Sequence, residues 1–174
     1  MSQPIRVALS FPATVNEHSA RQVATGVVIL TVGYAITSWG WLMAAIAFGF
    51  IARVLAGPTM SPLAQIVTRV VTPTTERLTG RAGPVVAGTP KRFAQAIGAT
   101  LSLAALTLHA MGLGQAATAV ALMITGAALL ESVLGYCLGC RLFAKLMTVG
   151  LIPATVCVEC SDITKRLATA QLSS

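Results

Sequence analysis

Apolar residues run along this chain in two long blocks, separated and flanked by polar stretches. No Asp, Glu, Lys or Arg occurs across the 31 positions between Arg21 and Arg53, and Glu131 is the only charge between Arg92 and Arg141. A membrane-spanning helix needs about 20 apolar residues. The second block therefore holds two spans with a turn. The first is tighter, and Trp39-Gly40-Trp41 at its middle marks the turn: tryptophan favours the membrane interface, and glycine permits a sharp bend. The pattern predicts helices over about Ala20–Ser38 and Trp41–Leu55, then from about Phe93 to Met111 and from about Gln115 to Leu142, with Gly112-Leu113-Gly114 as the second turn.

An amphipathic stretch follows each hairpin. In Ser61–Val71, the apolar Leu63, Ile66, Val67, Val70 and Val71 recur at helical spacing. Ser61 can cap such a helix, and Pro62 suits its first position. This predicts a short helix lying in the interface. Thr72–Pro90 is rich in Thr, Gly and Pro and reads as an exposed connection. After the second hairpin, Phe143–Ile152 ends at Pro153, and Ser161–Ser174 reads as a short polar helix capped by Ser161 or Asp162. The fold class is thus all-α: a single polytopic membrane domain over 1–174. Its parts are hairpin one (about 20–55), a loop (57–92), hairpin two (about 93–142) and a Cys-containing tail (143–174). The hairpins form a weak repeat, with Arg21 and Arg92 near their starts and Ser61–Pro73 aligning with Arg141–Pro153. In that alignment Gly57 and Met60 take the places of Cys137 and Cys140.

Composition agrees. Of 174 residues, 55% are hydrophobic and 10% charged, against about 25% charged in a soluble domain. The net charge of +7 comes from residues dispersed among the loops without interleaved aromatics, which speaks against nucleic-acid binding. All 12 Lys and Arg fall in the N-terminal arm, the middle loop, the tail or the adjoining helix ends. By the positive-inside rule both termini and the middle loop face the cytoplasm. The first 22 residues include Glu17 and His18 and lack a compact apolar region, so the first span is expected to serve as an uncleaved insertion signal.

The candidate chemistry lies in Cys137-Leu138-Gly139-Cys140 and Cys157-Val158-Glu159-Cys160. Two uses compete. Each pair can cycle between dithiol and disulfide, or the four thiolates can hold one Zn²⁺ or an iron–sulfur unit, since 16 intervening residues fit the C-x₂-C spacing of zinc sites. Packing alone is the plain alternative. A cytoplasmic location disfavours a permanent structural disulfide. Cys137 and Cys140 are expected near the C-terminus of the fourth helix, which disfavours thiolate. Cys157 and Cys160 precede the tail helix and so are expected to be the better attacking pair.

Glu131, inside the fourth helix, requires a partner. Arg53 sits at similar depth, and a structural Arg53–Glu131 ion pair is expected. His18 and His109 read as incidental. Gly135-x-x-x-Gly139 and Ala45-x-x-x-Gly49 permit close helix contacts, within the bundle or in a homodimer. No nucleotide-binding loop, catalytic triad or zinc-protease motif is present, so whether the protein is an enzyme stays open.

Three segments carry a family resemblance: Ser61-Pro62-Leu63-Ala64, Arg92-Phe93-Ala94-Gln95 and Gly135-Tyr136-Cys137-Leu138-Gly139-Cys140. Over nearly all of residues 15–160 the chain resembles the bacterial membrane family called domain of unknown function 4395. The resemblance implies a four-helix protein of the bacterial inner membrane, with no established activity. It also implies a link to thioredoxin-like or rhodanese-like partners, and hence thiol or sulfur handling. The leading expectation is a cytoplasm-facing thiol redox or sulfur-relay protein working through both Cys pairs. The alternatives are a non-catalytic scaffold or subunit with a Cys₄ metal clip and, third, a small-solute transporter.

Overall fold

A computed structural model describes residues 12–153 and 156–157. A short strand β1 (Thr14–Asn16) leads into helix α1 (Glu17–Thr37), and α2 (Gly40–Ala56) returns beside it. A 3₁₀ turn (Gly57–Thr59), helix α3 (Pro62–Ile66), a π turn (Val67–Val71) and helix α4 (Thr72–Thr79) together make one bent amphipathic segment. Strand β2 (Val85–Ala87) leads into α5 (Gly88–Ala110), α6 (Gly114–Leu134) returns, and α7 (Leu138–Thr148) follows. Two repeated hairpins, each followed by an amphipathic helix, are thus the architecture.

Four helical stretches are long and apolar enough to span a membrane, those beginning at Glu17, Gly40, Gly88 and Gly114. They form an up-down-up-down bundle in which α1 packs on α6, α2 on α5, and α5 on α6. Small residues allow the close approach. Ala117, Ala121 and Ala128 of α6 are buried against α1, where the Thr125 hydroxyl donates to Thr31 Oγ1 at 2.8 Å. A Cβ on Gly98 of α5 would lie 2.3 Å from the Phe50 ring of α2. Outside the core, Ile29, Ile36, Phe48, Met123 and Val133 are exposed. In lipid those are the solvated side chains. Trp39 and Trp41, with ring centroids 6.1 Å apart, flank the first turn and are also exposed. We call this the tryptophan end and the other the basic end.

Helix ends differ from expectation where local chemistry decides. Asn16 Oδ1 accepts from the backbone N–H groups of His18 and Ser19, so α1 begins at Glu17 rather than Ala20. Ser38, at φ 55°, closes it. Helix α5 begins at Gly88, because Pro90 falls in a first turn that needs no N–H donor. The fourth span ends at Leu134, not Leu142. Gly135 takes the left-handed cap at φ 66°, its N–H bonding Glu131 O, and Tyr136 N–H bonds Leu130 O.

The stretch read as an exposed connection is partly structured. Pro73 cannot donate and crowds the preceding turn. The backbone widens there into the π turn, with Thr72 N–H reaching Val67 O, and the helix continues to Thr79. Strand β2 pairs antiparallel with β1, Val15 opposite Val86. The strands precede α1 and α5 in their respective halves, so the ribbon sits where the two repeats meet. The expected polar tail helix, Ser161–Ser174, lies outside the described residues.

The repeat also appears in the helix ends. Arg21, early in α1, donates to Ser132 O and Val133 O of α6. Arg92, early in α5, donates to Val54 O of α2. Each half therefore supplies an arginine to the exposed carbonyls ending the other half's second helix. Ser61 is the N-cap position of α3 and Cys137 that of α7. Structurally, Ser61-Pro62-Leu63-Ala64 corresponds to Cys137-Leu138-Gly139-Cys140. This moves the sequence alignment: Ser61 and Ala64, rather than Gly57 and Met60, stand in the cysteine positions.

Candidate functional site

Cys137 and Cys140 sit at the start of α7. Because Gly135 stops α6, the chain turns through Tyr136 and begins a new helix with Cys137 extended at its N-cap. A helix N-terminus favours negative charge. The break at Gly135 thus puts Cys137 and Cys140 at a helix start rather than at the expected helix C-terminus, where the dipole favours thiolate instead of opposing it. The Cys140 backbone N–H donates to Cys137 Sγ at 3.4 Å, and the Cys140 thiol donates to it at 2.8 Å. Neither sulfur is in a disulfide.

Neighbouring contacts fix this corner. Gly139 packs so closely on α5 that a Cβ would lie 2.6 Å from Ala94 Cα. The Phe143 ring is buried beside Phe93, centroids 5.5 Å apart, and the Arg141 guanidinium lies 5.0 Å over Tyr136. Cys137 is 9% exposed, and Cys140 is half-buried.

Electrostatics separates the two thiols. The hydrogen bond from Cys140 holds Cys137 below the ordinary thiol range, helped by Lys91 and by the Cys140 N–H, and opposed by burial and by Glu131. Cys140 is pushed far upward, first by donating its proton to Cys137, then by burial and by the charge on Cys137. Cys137 is thus the more acidic thiol of the pair and Cys140 the less acidic.

Lys91 follows Pro90 and carries no sequence signal that marks it out from a loop residue. It lies in the first turn of α5 and forms a close ion pair with Glu131 of α6. Among the described residues this replaces the expected Arg53–Glu131 pair, which matched partners by depth alone. Arg53, 5% exposed, donates instead to Gln95 Oε1 at 2.8 Å and Ser61 Oγ at 3.3 Å, with its guanidinium 4.6 Å from the Phe50 ring centre. No carboxylate of the described residues lies within 4.0 Å of it.

Beside Arg53, at the basic end, a cavity of about 420 Å³ lies between β1, α1, the bent segment and the start of α5. Arg53, Lys91 and Gln95 stand on its wall, with Glu76 on α4. Glu76 already accepts from Asn16 Nδ2 at 2.9 Å and Gly83 N–H at 2.8 Å, with His18 Nδ1 3.9 Å away. Arg53 and Gln95 also line a smaller cavity of about 100 Å³, which reaches Glu131 within the bundle. At the tryptophan end His109 is structural rather than idle. Its Nδ1 shares a 3.1 Å hydrogen bond with Tyr34, and its ring fills the space above Gly40.

The second motif is only partly described. Cys157 is buried and disulfide-bonded; Cys160 lies outside the described residues. No three His, Cys, Asp or Glu side chains among the described residues gather as a metal-holding group. Cys137 and Cys140 are therefore the free thiols available to a Zn²⁺ or iron–sulfur reading, and no four-thiolate site is assembled from the described residues.

Four apolar spans around a small-residue core, with charge gathered at one end, define an integral membrane four-helix protein. Residues 15–148 match the family described as "Domain of unknown function (DUF4395)", and the chain belongs to that family. No curated protein and no solved structure matches it.

Proposed function

We propose that the protein carries out dithiol–disulfide exchange through Cys137 and Cys140, at the cytoplasmic face of a bacterial inner membrane with both termini cytoplasmic. The observation supporting this reading is the 2.8 Å hydrogen bond from the Cys140 thiol to Cys137 Sγ at a helix N-cap. That arrangement lowers the cost of one thiolate and keeps the second proton ready. Cys137 S⁻ attacks a substrate disulfide, one S–S bond breaks, and a thiolate leaves. Cys140, losing its proton to the departing sulfur, then attacks Cys137 Sγ and releases the second substrate thiol. The Cys137–Cys140 disulfide so formed returns to dithiol by oxidising the dithiol of a thioredoxin-like protein.

The near-complete burial of Cys137 favours approach by a slender loop of a partner or by a small sulfur compound. The lowered proton affinity of Cys137 supports a second reading, a sulfur relay. There Cys137 takes the outer sulfur of a rhodanese-like donor's persulfide, the donor leaving as its thiol. A metal clip in a scaffold and solute transport draw no comparable support from this geometry.

Anaerobically purified protein tests the first reading. Cys140→Ser, offered a small disulfide such as cystine, should trap a mixed disulfide on Cys137 with release of one cysteine thiol, and Cys137→Ser should trap none. Failure of the Cys137–Cys140 disulfide to form and re-reduce in wild-type protein would exclude exchange.

A further inference from the structure

Arg53 is a buried cation with no carboxylate among the described residues within 4.0 Å. Its two named hydrogen bonds go to neutral groups, Gln95 and Ser61. A cation withdrawn from water calls for compensation. Lys91, 8% exposed on the same cavity wall, is already paired with Glu131. Glu76, the acid on that wall, is held by Asn16 and Gly83. The Phe50 ring lies 4.6 Å from the guanidinium and Glu131 acts on it from a longer distance, but among the described residues no anion contacts Arg53 directly. The remaining wall is largely apolar, with Val15, Val23, Pro58 and Ala64. Its volume of about 420 Å³ falls within the ~300–1,000 Å³ range of small-molecule sites. The bent segment roofing it exposes Ile66, Val70 and Leu78, which places the cavity at the lipid boundary.

We propose that this cavity binds an amphipathic anion, its phosphate or carboxylate head on Arg53 with Lys91 beside it and its apolar part against Val15, Val23 and Ala64. The site stands independently of the thiol chemistry. Such a head group can belong to an anionic phospholipid or to a free acyl or alkyl anion, and both share the same recognition.

The test is equilibrium binding of radiolabelled decyl phosphate to the full-length protein in phosphatidylcholine nanodiscs, with empty nanodiscs as blank. Saturable one-site binding is expected, at least tenfold weaker in Arg53→Gln and largely retained in Arg53→Lys. Decanol should compete at least tenfold less well than unlabelled decyl phosphate. Thr68, on the cavity wall, offers a second variant: Thr68→Leu narrows the cavity while leaving both cations in place and should weaken binding at least several-fold, whether or not Arg53→Gln folds. Non-saturable binding, equal competition by decanol, or full binding by Thr68→Leu would overturn the proposal. Native mass spectrometry of membrane-extracted protein separates the sources. One anionic phospholipid, displaced by decyl phosphate and depleted in Thr68→Leu, identifies a lipid. Saturable decyl phosphate binding without any such lipid identifies a free amphiphile.

Discussion

At the scale of single residues, the distinctive charges are few, and the thiol pair and the Lys91–Glu131 pair each couple two of the titratable groups. Cys137 owes its low proton affinity first to the Cys140 thiol. Its alkylation rate should therefore rise through a midpoint below that of an ordinary thiol. In Cys140→Ala, which removes the largest contribution, the midpoint should move upward; stopped-flow iodoacetamide kinetics across pH would show it. The Lys91–Glu131 pair makes a second case. Removing one member leaves a buried charge uncompensated, at about 3–5 kcal/mol. Lys91→Met should lower the thermal midpoint well below that of the double variant Lys91→Met with Glu131→Leu. Equal midpoints would mean that the pair contributes nothing. Glu131 was visible in the sequence as a lone buried acid. Its partner was not, because Pro90 disguised the first turn of α5, and depth in the membrane does not say which helix faces which.

Among the elements, the two helix-starting corners differ in chemistry but share a frame. Ser61 in one half accepts from Arg53, and Cys137 in the other accepts from Cys140. The four spans and their tight turns were legible because apolar length and interfacial residues suffice to place them. The break at Gly135 was not, since apolar residues continue through Leu142 and hydrophobicity alone cannot distinguish a cap from a helix interior. The left-handed backbone at Gly135 decides it. The Gly135-x-x-x-Gly139 pattern accordingly splits: Gly135 is the cap of α6, and Gly139 seats α7 on Ala94. Gly139→Val should unseat α7, raise Cys137 alkylation by several-fold and leave the bundle helical by circular dichroism. Unchanged alkylation would mean that α7 is anchored by Phe143 alone. One turn further along α5 from Ala94, Gly98→Val should disrupt the α2–α5 contact with Phe50. Its effect should be on thermal stability, by about 1–3 kcal/mol for overpacking, measured by thermal unfolding in detergent.

For the whole molecule, the exchange of arginines between halves gives the bundle its two-fold character. Arg21 reaches α6 and Arg92 reaches α2. One-sided charge was legible at once and sets the proposed orientation. Labelling intact cells with an impermeant maleimide checks it, in a background lacking the native cysteines. A cysteine placed at Gly114, in the second turn, should react. One placed at Arg81, beyond α4, should react only after permeabilisation. The reverse pattern would invert the protein in its membrane. The middle of the chain was the least legible region. Thr, Gly and Pro there looked like a connection, yet the π turn absorbs Pro73 and Val85–Ala87 finds its strand partner some seventy residues upstream.

That short ribbon also bears on how the protein is made. Asn16 and its neighbours leave the ribosome long before Val85 does, so β1 has no strand partner when the first hairpin enters the membrane. Closing the ribbon, with Gly88 N–H on Ala13 O and Glu17 N–H on Pro84 O, must await synthesis of the second half's leading strand. The first hairpin can insert early, but the opening of the chain locks only after the nascent polypeptide has passed its midpoint. Assembly of the basic end is thereby timed to translation of the half that carries the thiols.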